Sequence, residues 1–136
     1  MAASVVVDAS FLVALLDRQD QHHAWAVSEA SRHIPIWHTC ESALSEAFFL
    51  VGDLGGRQLA SFLSRGVVVA SFGLSQELHS VLVLMQKYAD VPMSLADGCL
   101  VRMTEILPDP LVLTTDSDFR LYRRNGRQMI PCVLPR

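Results

Sequence analysis

Short, wholly apolar runs alternate along this chain with segments whose apolar positions recur at helical spacing. Val5, Val6 and Val7 form a β-branched run ahead of Asp8, the pattern of a strand buried on both faces. SFLVALLDR, from Ser10, has helical character with a Ser cap, and Gln21 to His33 reads as a second helix anchored by Trp25. Ile34 to His38 reads as a short strand restricted by Pro35. Thr39 opens TCESALSEAFFLVGDLGG, whose Thr cap, apolar spacing and closing glycines predict one continuous helix. A shorter helix follows over Arg57 to Arg65, Gly66 stops it, and Val67 to Ala70 repeats the valine-rich strand pattern. Ser75 is placed to cap a helix reaching about Ala89, and Ser94 to cap LADGCLVRMTEIL, which ends at Pro108. Leu111 to Thr114 reads as a buried strand, followed by DSDF, a basic stretch, and a last strand near Met129 to Val133.

Apolar strands separated by helices predict an α/β fold, a three-layer sandwich with a central, mostly parallel sheet, because parallel neighbours need crossovers long enough to hold helices. Such sheets bind ligands beyond the C-terminal ends of their strands. Asp8 and Asp116 fall at that kind of position.

Length and composition narrow the picture. The 136 residues, without repeat, low-complexity tract or linker, suit a single domain over 1–136. At 51% hydrophobic and 18% charged the chain is not disordered, and the apolar excess makes an oligomer reasonable. A net charge of −3 gives no general attraction for nucleic acid, so any such contact must come from a local cluster such as Arg120, Arg123, Arg124 and Arg127, which equally reads as a solvated face. Cys40, Cys99 and Cys132 contain no CxxC pair and read as reduced structural residues. With no basic leader and no apolar run of membrane-spanning length, a soluble cytoplasmic protein is expected.

Four acids stand inside or beside apolar segments. Glu46 shares a helical face with Ala43 and Leu50, and Asp97 with Met93, Leu100 and Val101, so both are expected to point inward. Two unit charges about 4 Å apart repel by roughly 4 kcal/mol at an effective dielectric near 20, so a cluster of Asp8, Glu46, Asp97 and Asp116 requires protons or cations. All-oxygen ligands suit Mg²⁺ or Mn²⁺; zinc prefers nitrogen and sulfur, and the adjacent His22 and His23 do not share a helix face. Each acid also has a local reading: Asp8 as a strand-end or capping acid, Glu46 as partner of a buried arginine, Asp97 as a cap of the helix begun at Ser94, and Asp116 with Asp118 as turn formers. Glu41, in a first turn, suits the helix dipole without further role.

VVVDASFLVALL, TCESALSEAFFLV, YADVPMSLADGCLV and TTDSDF, in this order and spanning essentially the whole chain, resemble the motifs of the PIN-domain family, particularly the VapC-type ribonuclease toxins of toxin–antitoxin modules. The resemblance implies a PIN-like fold, with Asp8 and Asp97 as principal metal ligands and Glu46 and Asp116 as the third and fourth acids. It also implies hydroxyls of Ser10 and Thr115, together with Asp118, orienting the ligands, and a supporting role at most for Asp90. Gly98 departs from the expected Ala, a change that costs a helix about 1 kcal/mol. Metal-assisted hydrolysis of RNA phosphodiesters follows from the likeness, as do Arg120, Arg123, Arg124 and Arg127 on the RNA backbone, single-stranded loops as substrate class, a homodimer, and a small antitoxin covering surfaces such as those of Phe48, Phe49 and Leu82.

Two other functions compete. One is a catalytically inactive module of the same fold that binds protein or RNA. The other is a phosphatase with Asp8 as nucleophile, disfavoured because Ser10 stands where a second Asp is wanted. No histidine faces a candidate nucleophile, and His38 reads as a strand-end residue.

Overall fold

The computed structural model describes residues 3–136. Its centre is a five-stranded parallel sheet in the order β3-β2-β1-β4-β7, formed by β1 (Ser4–Val7), β2 (Trp37–Thr39), β3 (Val68–Ala70), β4 (Pro110–Leu113) and β7 (Cys132–Val133). The helices between the strands are α1 (Ala9–Leu16), α2 (His23–Arg32), α3 (Glu41–Leu50), α4 (Gly52–Ser64), α5 (Leu74–Lys87) and α6 (Leu95–Ile106). Successive strand residues point to opposite faces, so the burial of Val5, Val6 and Val7 together shows that helices cover β1 on both sides. The expected three-layer α/β architecture is the one observed. Among the described residues, no helix is long and apolar enough to cross a membrane.

β1 aligns Val7 with Leu113 of β4 and Val6 with His38 of β2, so their C-terminal ends finish at one rim. Two aromatic groups brace the layers. Phe11 meets Trp25 and Trp37 edge-on at centroid distances of 5.9 and 5.6 Å, and Tyr122 meets Phe119 and Tyr88 at 5.3 and 5.1 Å. Tyr122 and Phe119 are fully buried and anchor the segment that follows β4.

Several boundaries differ from the sequence reading. The continuous helix expected from Thr39 to Gly56 is broken: α3 ends at Leu50, Gly52 takes φ +71°, and the later glycines lie inside α4. Only glycine adopts that left-handed geometry without strain, whereas Gly55 is held by crowding, since a Cβ there would lie 2.6 Å from that of Val51. Thr39 is not the cap of α3. It ends β2 and donates its hydroxyl to Val7 O, while Cys40 Sγ accepts from the Ala43 amide. Helix α5 begins at Leu74 with Gly73 in the cap position, in place of Ser75. The basic stretch forms a small antiparallel hairpin of β5 (Arg123–Arg124) and β6 (Gln128–Met129), turned by Asn125 and Gly126 at φ +52° and +83°. That Asn-Gly pair is a recognised hairpin signal.

Gly98 has a packing reason. A Cβ there would come within 3.1 Å of Val81 Cγ1 and 3.2 Å of Met85 Cγ, so the missing methyl sets how closely α6 approaches α5.

Candidate functional site

Beyond the C-terminal ends of β1 and β4 lies a cleft of about 480 Å³ whose lining includes Asp8, Asp20, Glu46, Asp97, Asp116 and Asp118, with Ser10, Ser94 and Thr115. Among the described residues, no lysine or arginine lines it. The structure thus gathers all four acids singled out by sequence, together with Asp118.

Asp8 leaves β1 and occupies the cap position of α1, but its side chain makes no capping hydrogen bond. One carboxylate oxygen, Oδ2, accepts from Thr114 Oγ1 at 2.8 Å and from Ser10 Oγ at 2.9 Å. Ser10 lies within α1, and its hydroxyl also accepts from the Thr115 amide at 3.0 Å. The buried hydroxyl bonded to Asp8 is therefore that of Thr114, not of Thr115, which contributes its amide. Thr114 ends the apolar β4 run and is fully buried; its Oγ1 also accepts from the Asp116 amide at 2.9 Å. Asp116 in turn accepts from the Asp118 amide at 2.9 Å, so the turn-forming role open from sequence is realised alongside its place in the cleft. The backbone fastens the two strands, with Asp8 N–H donating to Leu113 O.

Asp97 also has two roles. It completes a capping box with Ser94, whose Oγ accepts from the Asp97 amide at 3.0 Å, and its Oδ2 accepts from the Tyr122 hydroxyl at 3.0 Å. Tyr122 and Asp20 escaped the sequence reading. Tyr122 lies 25 residues from its partner with no motif to mark it, and Asp20 reads as a local turn acid, accepting from the His22 amide.

Glu46 corrects an expectation. It is exposed and stands at the lip of the cleft instead of pointing toward the core, because the buried stripe of α3 is Ala43, Leu44 and Ala47. His38 is not among the residues lining the cleft, and its Nδ1 pairs with Ser71 Oγ at 2.9 Å.

Burial pushes the Asp8 carboxyl up to about 6, opposed by the Thr114 and Ser10 hydroxyls and helped by the charge of Asp97. Asp97 is likewise raised by burial, with the Tyr122 hydroxyl opposing and Asp116 adding to the rise. Burial and the charge of Asp116 raise Asp118. Asp8, Asp97, Asp116 and Asp118 thus form a chain of mutually repelling neighbours.

No three carboxylate, imidazole or thiolate groups among the described residues gather tightly enough to hold one ion by themselves. Mg²⁺ keeps several of its waters and binds through one or two carboxylates, so a spread, all-oxygen, cation-free set still fits such an ion. Asp8, buried and feeling the field of Asp97, and Asp97, half-buried and feeling that of Asp116, are the acids of the cleft that would hold such an ion.

The arginine cluster is divided. Arg124 donates twice to Thr104 O, at 2.9 and 2.6 Å, and Arg123 donates to three local carbonyls, so both secure the hairpin. Arg120 and Arg127 are exposed, and none of the four lines the acidic cleft.

No protein-family model matches the chain, and no curated protein matches its sequence. Among solved structures the fold matches VapC20 of Mycobacterium tuberculosis, a sarcin-ricin loop cleaving toxin, with a TM-score of 0.69 and 21% identity over 85% of this chain and 92% of that one. The chain therefore has the fold of a VapC toxin, as the motif resemblance implied. At that identity the likeness concerns the fold alone.

Proposed function

We propose that the protein is a divalent-cation-dependent endoribonuclease, the toxin of a toxin–antitoxin pair, whose reaction takes place in the acidic cleft. The observation carrying this reading is the convergence of Asp8, Glu46, Asp97 and Asp116 on one cleft without a basic side chain, at the rim where a parallel sheet binds ligands. Mg²⁺ or Mn²⁺, when bound, supplies positive charge against the charge developing on the phosphoryl oxygens and acidifies water for attack. Asp8 and Asp97 would hold the cation, and Glu46 and Asp116 would add negative charge on the same cleft. Thr114 and Ser10 fix the Asp8 carboxylate, and Tyr122 fixes that of Asp97. The acids repel an approaching phosphate until a cation is present, so RNA engagement at the cleft depends on the cation.

VapC20 is described by its cleavage of the sarcin-ricin loop, and a structured RNA loop is accordingly the substrate class proposed for this chain. Exposed Phe48, Phe49, Leu54 and Leu82 offer apolar surface for a second copy or an antitoxin segment. A second reading, an inactive RNA- or protein-binding module, is favoured by the spread of the carboxylates.

One experiment separates the two. Loop-containing RNA incubated with the wild type is cleaved in Mg²⁺ and intact in EDTA, and Asp97→Asn, which keeps a capping oxygen, lowers the rate by roughly 10–100-fold or more. Equal cleavage by both proteins, or none by the wild type across varied RNA loops, rejects the nuclease.

A further inference from the structure

A nuclease whose cleft is lined by acids must hold the flanking phosphates of its substrate elsewhere. Between α2 and the edge strand β7 lies a second cleft of about 750 Å³, lined by Arg32, Arg120, Arg136, Trp25, Glu29 and Cys132 among others. Its guanidinium groups come from three distant parts of the chain. The turn Ser117–Arg120 contributes to both clefts: Asp118 lines the acidic one and Arg120, two residues on, the basic one.

We propose that this basic cleft is an RNA subsite, in which Arg32 and Arg120 hold phosphates and Trp25 offers an aromatic surface to a base of a strand that continues into the acidic cleft. The proposal rests on reading the acidic cleft as the cleavage site. Among the described residues, the one carboxylate side chain lining the subsite, Glu29, is buried and engaged, 3.2 Å from Arg32 Nη1 and 3.5 Å from His33 Nε2. Arg32 is 68% exposed at its side chain, and a guanidinium has five donors, so the bond to Glu29 leaves donors for phosphate. Arg120 is exposed and its side chain makes no hydrogen bond or ion pair among the described residues. Trp25 is half-buried, supported edge-on by Phe11. Arginines beside an aromatic ring are the combination that holds single strands, through phosphate neutralisation and base stacking.

The site carries its own reporter. Cys40 and Cys99 are buried, whereas Cys132 is half-buried and lines this cleft. The test is binding of a short unstructured RNA oligonucleotide to the full chain in EDTA, read by the salt dependence of Kd and by the rate of Cys132 alkylation with iodoacetamide. The wild type is expected to bind with Cys132 protected several-fold. Arg120→Glu, which breaks no side-chain hydrogen bond or ion pair among the described residues, weakens binding about tenfold or more and flattens the log–log salt slope by about 0.7. Arg32→Gln, which can still hydrogen-bond to Glu29, acts in the same direction. Unchanged Kd in both variants, or binding without Cys132 protection, overturns the proposal. Equal protection by a polyglutamate peptide overturns it in favour of an acidic protein segment. Failure of this subsite with Mg²⁺-dependent cleavage intact leaves the nuclease standing. Arginine-dependent binding and protection without cleavage removes the nuclease and leaves the RNA subsite.

Discussion

Burial holds the Asp8 carboxyl at about 6, against an ordinary 3.8. The folded chain thus binds this proton more tightly than the unfolded chain does, so the stability that the shift confers is present below about pH 4 and is lost as pH rises through about 6. Above that range the charged, buried group costs the fold about 3 kcal/mol. Asp8→Asn in cation-free buffer is therefore expected to be more stable than the wild type by about 1–3 kcal/mol at pH 8, with the gain gone near pH 4. Urea unfolding at the two pH values measures this, and a variant less stable at pH 8 contradicts it. Thr114 tests the neighbouring hydroxyl. Thr114→Val removes a donor to Asp8 and leaves the Asp116 amide without its acceptor, costing about 1–3 kcal/mol and raising the Asp8 pKa further. Carboxylate titration followed by NMR reads the second effect; an unchanged or lowered Asp8 pKa would show that the hydroxyl does not favour the charged form.

At the scale of elements, the strands before Asp8 and Asp116 were legible because wholly apolar β-branched runs have few alternatives to a doubly covered parallel strand. Ser94 was legible as a cap because its hydroxyl acts locally. The break between α3 and α4 was not, since glycines at 52, 55 and 56 look alike in sequence and only the first adopts positive φ. Ala43 and Leu50 together suggest an inward Glu46, yet only Ala43 is buried and Leu50 is exposed, so that face is narrower than the spacing implies. Tyr122 and Thr114 reach their acids through tertiary contact, which no periodicity encodes. Similarly, the arginines read as one cluster are divided by the hairpin, which turns Arg123 and Arg124 onto carbonyls. Gly98 gives an element-scale prediction. Alanine would gain about 1 kcal/mol of helix propensity but would overpack against fully buried Val81, at a cost of about 1–3 kcal/mol. Gly98→Ala is expected to lower Tm through a net loss of about 1 kcal/mol, and a raised Tm would show that α5 yields freely.

Across the whole molecule, a net charge of −3 conceals a separation of sign: acids at the rim of β1 and β4, arginines beside the edge strand β7. The sheet makes this separation possible by ending its central strands at one rim while α3 and α6 bring Glu46 and Asp97 to the same cleft. A cation bound there must displace the proton of Asp8, so its affinity is expected to fall about tenfold per pH unit below about 6. Calorimetric titration of Mn²⁺ into the wild type, Asp8→Asn and Asp97→Asn at pH 5 and pH 7.5 tests the cation-holding cleft most directly. The predicted result is wild-type binding that strengthens with pH and is lost or greatly weakened in both variants. Binding that is equal in all three proteins, or absent from the wild type at pH 7.5, contradicts it.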